Sequence, residues 1–170
     1  MKKPEPENVV VAVIAVAGGT LIGRVRLQKV FYLLDQLGLN SGFEYEYHHY
    51  GPYSEDLSSA VEDAQAFDVL DEEVKRRASD GMRYSVYTSK STPRISGSLF
   101  GSLGVSKATR YTQMLKDEDA TVLELAATIH WLRHREKVAN WKAELEKRKG
   151  IKTKNGRTER ASRILQQLGI

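Results

Sequence analysis

The chain has 170 residues and no cysteine, so it is the size of one ordinary domain and has no disulfide, thiolate metal ligand or cysteine nucleophile. Its formal net charge is +4, but residues 131–163 carry 12 Lys and Arg against 4 Glu, which leaves the rest of the chain mildly acidic. A basic C-terminal part of this kind indicates an anionic partner, either a nucleic acid or an acidic protein face.

The first predicted element is a helix in the longest apolar run of the chain. The run starts at Val9 and is broken by Gly18-Gly19, so it is too short to span a bilayer. Glu5 and Glu7 precede it, which argues against a secretory signal. We therefore expect a buried first helix in a cytoplasmic protein without membrane association.

A second helix and a strand follow. The strand is predicted in the segment FEYEYHHY from Phe43, because its side chains alternate between two faces. Gly51-Pro52 is predicted to end this strand, since proline has no donor for a ladder. The helix is predicted over 24–37, where apolar residues recur at three and four positions: Leu27, Val30, Phe31, Leu34 and Leu37.

A third helix and a β-hairpin complete the N-terminal half. Ser54 is predicted to be the N-cap of the helix, and Asp80-Gly81 predicts a tight turn between two strands. Three helices followed by a hairpin are the order of a winged-helix unit, which we predict for residues 1–90. The predicted buried stripe of the third helix is Leu57, Ala60, Val61, Ala64 and Phe67.

The C-terminal half is predicted to start with a loop-rich connection over 91–116, which is rich in Ser and Gly and has room for a short helix at Leu99–Leu103. Helical periodicity resumes at Asp117 and defines a basic helical part over 117–170. The predicted fold is a mainly helical α+β protein in a single domain over 1–170. The expected buried positions of its last three helices are Val122, Leu125, Ala126, Ile129 and Leu132, then Val138, Trp141 and Leu145, then Ala161, Ile164, Leu165 and Leu168.

Two motifs give the chain a family resemblance. GRVRLQKVFYLL from Gly23 and GPYSEDL from Gly51, with the aromatic strand between them and a closing ASRILQQLG, resemble the YwgA-like proteins and the related SocA-like antitoxin, or Panacea, domains. The clear likeness covers residues 20–70. It implies a small, mostly helical bacterial or phage-associated protein that acts by binding, since Panacea domains neutralise diverse toxins. Gly23-Arg24 before the Leu-Gln-Lys triplet is closer to the YwgA-like branch.

Three cations near the start of the second helix are candidates for protein interaction: Arg24, Arg26 and Lys29. Cations at this end oppose the helix dipole, so each requires a compensating partner. That partner is either an internal carboxylate, such as Glu44, Glu46 or Glu55, or an external anion. Tyr50 and Tyr53 join the candidates because tyrosines beside a Gly-Pro corner place hydroxyl groups at a surface.

The segment RKGIKTKNGR is the candidate nucleic-acid site. It contains five basic residues and no acid, and such a segment is able to neutralise phosphates. Trp141 nearby is either a base-stacking residue or a core residue. The candidate contacts are Arg148, Lys149, Lys152, Lys154 and Arg157.

No metal, cofactor or catalytic role is expected. His48 and His49 are adjacent on a strand and point to opposite faces, whereas His130 and His134 share a helix face but lack the glutamate of the zinc-protease motif. The expected partner is a protein such as a toxin, with a nucleic acid as the alternative and a homodimer as a further option. The expected function is a non-catalytic binding module in a toxin–antitoxin or phage-defence setting; the alternative is a winged-helix nucleic-acid-binding regulator.

Overall fold

The computed structural model describes residues 2–90 and 96–170, and it is an α+β structure composed mainly of helices, as predicted. The strands in these residues are β1 (Thr20–Ile22), β2 (Glu46–His48), β3 (Gly51–Tyr53), β4 (Leu70–Arg76) and β5 (Arg83–Ser89). The helices are α1 (Pro6–Val16), α2 (Arg24–Gln36), α3 (Glu55–Ala66), α4 (Gly104–Lys116), α5 (Ala120–His134), α6 (Trp141–Lys149) and α7 (Arg157–Leu168). Short 3₁₀ helices cover Gly97–Phe100 and Gly150–Thr153.

The strands form two antiparallel units. One is a three-stranded sheet with the order β1-β5-β4, and the other is the separate β2–β3 hairpin. In the larger sheet Leu21 pairs with Tyr87, and Leu70 lies on the same face two positions further along β5. All three side chains are buried, so this face of the sheet covers the helical core.

The core is built around α1 and α5. Every residue from Val9 to Ile14 is at most 3% exposed, which confirms the predicted buried first helix. Helix α1 packs against α3 and α4, while α5 packs against α2, α6 and α7. One cluster of buried apolar side chains runs from Val9 to Leu168 and joins both halves of the chain. In residues 2–90 and 96–170, no helix has the length and apolar character needed to cross a membrane.

The structure corrects the prediction for the aromatic strand. Within this segment only Glu46–His48 pair as a strand, and the chain reverses at His49 and Tyr50 instead of at Gly51-Pro52. Pro52 lies within β3 and faces Tyr47. This position is open to proline because β3 is one strand of a two-stranded unit.

Two further predictions are wrong. Phe67 follows the last residue of α3 and is 66% exposed, so it is not part of the buried stripe of that helix. The predicted loop-rich connection contains the 13-residue helix α4, which buries Ala108, Thr112 and Leu115 at helical spacing. Residues 91–95 of that connection lie outside the described part of the chain.

The remaining boundaries are close to those predicted. The hairpin turn is closed by Asp80, whose side chain accepts a hydrogen bond from the Met82 amide at 3.0 Å, and by Gly81 at φ +70°. Trp141 begins α6 and is half-buried against the core, whereas Val138 precedes that helix. The apolar face predicted for α7 is buried.

Candidate functional site

The two motifs that carry the family resemblance are in direct contact. The Gln28 side-chain amide donates to the carbonyl oxygen of Ser54 at 2.9 Å, and the Gln28 carbonyl accepts from the Ser54 amide at 2.8 Å. Lys29 donates to the carbonyl oxygen of Pro52 at 2.5 Å. The Leu-Gln-Lys helix thus binds the backbone of the Gly-Pro-Tyr-Ser segment at two places. We call this unit, Gln28 and Lys29 with residues 51–54, the corner.

Gly51 lets the corner lie directly against α5. Its φ is +87°, and a Cβ at this position would be 2.7 Å from Oγ1 of Thr128. Ser54 then starts α3, because its Oγ accepts a hydrogen bond from the Leu57 amide at 3.2 Å. The predicted N-cap is therefore confirmed.

Lys29 is buried and does not form part of a surface. Lys29 is 1% exposed, and burial lowers the pKa of its ammonium group to about 7. Glu124 raises that pKa, while the charges of Lys149 and Lys152 lower it. The prediction that Lys29 is an interaction residue is wrong, because the face of α2 that carries it packs against β3 and α5.

The Glu124 cluster, formed by Glu124, Lys149 and Lys152, lies beside the corner. Glu124 accepts from Lys149 at 2.7 Å and from Lys152 at 3.0 Å. Lys149 also donates to the carbonyl oxygen of His49 at 3.0 Å. The side chains of Glu124 and Lys149 are only 3% and 2% exposed, so this ion pair is shielded from solvent. The cluster fixes the end of α6 to α5 and to the β2–β3 turn.

Arg148 is also bound within the protein. Its guanidinium donates two 2.7 Å hydrogen bonds to the carboxylate of Glu136 and one of 2.8 Å to Glu144, which lies four residues earlier on α6. The same group lies 4.8 Å from the centre of the Tyr47 ring. Its hydrogen bonds to Glu136 are the main cause of a raised Arg148 pKa.

The rest of the predicted basic segment is folded. Arg157 donates to the carbonyl oxygens of Lys152 at 2.6 Å and Ile151 at 2.8 Å, and so stabilises the 3₁₀ helix before α7. Lys154 is exposed and has no side-chain partner in the part of the chain that the structure describes. Four of the five predicted nucleic-acid contacts therefore bind groups of the same chain: Arg148, Lys149, Lys152 and Arg157.

Arg24 forms an internal ion pair, one of the two alternatives for this residue. It lies 2.9 Å from the Glu72 carboxylate and also donates to Oγ of Ser85. Burial would raise the pKa of Glu72, but hydrogen bonds from Ser85 and Arg24 outweigh it and lower that pKa. The partner comes from the hairpin and is none of the three carboxylates considered from the sequence, Glu44, Glu46 and Glu55.

Arg26 donates hydrogen bonds to the backbone of two other segments. It donates to the carbonyl oxygen of Glu118 at 2.9 Å and to that of Ile22. Burial lowers the pKa of its guanidinium, while nearby acidic residues raise it. Arg26 thus connects the start of α2 to the segment before α5.

The candidate tyrosines both reach the surface. Tyr50 is 51% exposed, and the Lys152 ammonium lies 4.8 Å from the centre of its ring. Tyr53 is half-buried, with its hydroxyl 2.9 Å from Oγ of Ser58 and its ring stacked on His48 at 4.7 Å. Both stay candidates for contact with a partner.

The two histidines on α5 make their contacts within the protein. Nδ1 of His130 is 2.8 Å from the Tyr32 hydroxyl, and its ring stacks on that of His134 at 4.4 Å. Burial, followed by the nearby His134 and Arg133, lowers the pKa of His130 to about 4. Within residues 2–90 and 96–170, no three His, Asp or Glu side chains are grouped so that they could hold a metal ion.

Two carboxylates of these networks were not predicted. Glu124 interrupts the apolar run VLELAATIHWL, and a lone charge in a buried helix was the signal that could have identified it. Glu72 stands among other charged residues in LDEEVKR, where no pattern distinguishes it. Glu124 binds two lysines that the sequence assigned to a nucleic acid, and Glu72 binds Arg24, for which an internal carboxylate was one of two alternatives.

Exposed apolar side chains are found on the three-stranded sheet and its turn. Ile22 is 45% exposed, Val74 is 55% exposed and Met82 is 59% exposed. Ile22 lies opposite Val86 and Val74 lies opposite Ser85, so these two side chains point to opposite faces of the sheet and do not form one continuous patch.

Comparison with known proteins gives one relative. The chain is similar to YwgA of Bacillus subtilis. The two are 31% identical over 114 residues, which cover 65% of this chain and 65% of YwgA. YwgA is itself an uncharacterized protein, so the similarity carries no statement about activity. No family model matches the chain.

Proposed function

We propose that the protein is a non-catalytic binding module that acts on another protein, in the manner of an antitoxin in a bacterial toxin–antitoxin or phage-defence setting. Similarity to YwgA supports the YwgA-like part of the motif resemblance. The toxin-binding part comes from the resemblance of the same motifs to Panacea domains.

The observation that carries the proposal is the exposed apolar surface of the β4–β5 hairpin. Val74 on β4 is 55% exposed, and Met82 beside the hairpin turn is 59% exposed. Arg24 and Arg83 lie beside this surface. Apolar area next to arginine is the composition that protein interfaces favour.

The buried polar groups support a structural role for the corner. Lys29 and Gln28 bind backbone atoms, and Lys149 binds both a carboxylate and a backbone carbonyl. These bonds hold α2, α5 and α6 around the β2–β3 hairpin. In this proposal the corner positions the neighbouring surface, and the partner contacts groups that reach that surface, such as Tyr50, Tyr53 and Arg24.

A nucleic-acid-binding regulator is the second candidate. It is favoured by the arrangement of α1, α2 and α3 with the sheet order β1-β5-β4, which fits a winged-helix-like reading of the N-terminal half. In that reading α3 would enter a groove of DNA. Its exposed residues, however, include Glu55, Asp56, Glu62 and Asp63, which would repel phosphates. The acidic helix and the internally paired cations make a protein partner the better supported function.

Co-expression with the products of the two adjacent genes tests the proposal. We expect one product to co-purify with the protein, and its toxicity to fall when the protein is present. Neither co-purification nor reduced toxicity with either neighbour would contradict the proposal. Binding to a 20-base-pair duplex that weakens steeply as salt is raised would support the second candidate, because each phosphate contact releases counterions.

A further inference from the structure

A groove lies between the β4–β5 hairpin and the first turn of α2. Its volume is about 440 Å³, and its apolar lining comes from Val25, Val74 and Ala120. Val74 shares a face of β4 with the buried Leu70, because the two are four positions apart on one strand. The hairpin therefore extends beyond the helices that cover Leu70 and leaves part of its core-facing side open.

The charged lining of the groove is entirely cationic. Among the described residues that line it, three are arginines and none is acidic: Arg24, Arg26 and Arg83. The charge of Arg24 is matched by Glu72, and Arg26 donates to backbone carbonyls. The exposed Arg83 has no side-chain partner in the described part of the chain. Helix α2 adds to this positive potential, since it starts without a side-chain cap and without an acidic residue in its first turn.

We propose that this groove binds a peptide segment of a partner protein that presents an apolar side chain next to a carboxylate. The inference rests on the proposed protein-binding function and gives it a surface and a ligand chemistry. The apolar side chain covers Val25 and Val74, and the carboxylate accepts hydrogen bonds from the guanidinium of Arg83, which is able to donate two in parallel.

A nucleic acid fits this groove less well. Its phosphates would use Arg83 but would leave the apolar surface of Val25, Val74 and Ala120 in contact with water or with charge. Burial of that apolar surface contributes binding energy only when the ligand is apolar as well. The lining therefore favours a peptide that has both properties.

Fluorescence anisotropy with three labelled ten-residue peptides tests the proposal on the intact protein. The peptides share the same leucines and differ at four positions, which are all Asp, all Asn or all Lys. We expect the Asp peptide to bind at least about tenfold more tightly than the Asn peptide. A factor of this size is what one hydrogen bond between a carboxylate and an arginine contributes to binding. Arg83→Glu and Val74→Asp should each reduce its affinity by a similar factor.

Lys75→Glu is the matched control. Lys75 neighbours Val74 on β4 but points to the opposite face, and the substitution changes the net charge as Arg83→Glu does. It should therefore have much less effect than Arg83→Glu. Unchanged melting temperatures of the variants would show that the hairpin is intact.

Several results would overturn the groove assignment: no binding of any peptide, equal binding of the Asp and Asn peptides, or equal losses for Lys75→Glu and Arg83→Glu. The same variants in the co-purification experiment separate the two proposals. If a neighbouring gene product binds wild type and both groove variants equally, the protein-binding function stands and the groove is not its site. If it binds none of them, wild type included, the proposed function itself fails.

Discussion

Ser54 has two roles in one residue, since its backbone is held by Gln28 while its side chain caps α3. We expect Ser54→Ala to lose the cap and to lower the free energy of unfolding by about 1 kcal/mol. The backbone bonds to Gln28 remain, so the fold should persist. Urea unfolding measures the change, and Ser59→Ala, an exposed position of the same helix, is the control. Equal losses for the two variants would contradict a capping role.

Lys29 should make stability depend on pH. Its folded-state pKa is about 7, below the ordinary lysine value of 10.5, so between these values the unfolded chain binds a proton that the folded protein does not. The free energy of unfolding of the wild type should therefore rise with pH across this window. Each tenfold change in proton affinity corresponds to about 1.4 kcal/mol.

Comparison with Lys29→Met isolates this effect, because the variant keeps the charged side chains near the site, Glu124, Lys149 and Lys152. Urea unfolding from pH 6 to pH 9 should show the wild type gaining stability relative to the variant above about pH 7. A difference between the two proteins that stays constant over this range would show that Lys29 remains charged in the folded state.

These two residues show which local features can be predicted. The cap at Ser54 follows from a serine before two acidic residues and a periodic helix, all of which are neighbours in sequence. The burial of Lys29 depends on the Pro52 carbonyl and on Glu124, which come from distant segments. The helical periodicity around Lys29 does not reveal these partners, so the sequence analysis predicted that Lys29 lies at a surface.

At the scale of elements, the Glu124 cluster determines how α6 attaches to the body. Glu124→Gln would leave the buried ammonium of Lys149 without its counter-ion, which costs about 3 kcal/mol or more. Glu136→Gln is the control, because Glu136 and its partner Arg148 are each at least a quarter exposed, and such pairs contribute about 1 kcal/mol or less. Urea unfolding of both variants tests the ranking. Equal losses would show that burial does not distinguish the two pairs.

The elements that sequence patterns identified correctly are those with strong periodicity. Helices α2, α5 and α7 lie where periodicity predicted them, and α7 buries the predicted positions. Helices α2 and α5 bury more than the predicted stripe, since every residue over 27–34 and over 122–132 is buried. Helix α4 was missed because its buried face consists of Ala108, Thr112 and Leu115, of which only one is strongly apolar, and because Gly and Ser precede it. The aromatic strand was extended too far because a two-stranded hairpin and a longer strand share the same alternation.

At the scale of the whole molecule, the histidines are placed for packing. His130 is bound to Tyr32, and His48 stacks on Tyr53. We expect elemental analysis of the purified protein to find no stoichiometric zinc. The double variant with His130→Gln and His134→Gln should have the same metal content as the wild type. Stoichiometric zinc that is lost in this double variant would contradict the expectation.

The overall class and the helices with strong periodicity were predictable because they depend on periodicity along the chain. The candidate sites were not, because they depend on which charges meet after folding. Arg24 meets Glu72 and Lys152 meets Glu124, and each pair joins segments far apart in sequence. Counting charges in the basic segment therefore overestimated the cations available to an external anion.

The bond from Lys149 to the His49 carbonyl spans 100 residues and has a consequence for synthesis. The β2–β3 turn leaves the ribosome long before α6, and until then Glu124 lacks both lysines that neutralise it. Domains begin to fold from their N-terminal side during translation, yet the Glu124 cluster of this one is complete only after α6 and Lys152 have emerged. A product interrupted before α6 would contain an uncompensated carboxylate in an incompletely packed α5, and cellular proteases should degrade it faster than the full chain.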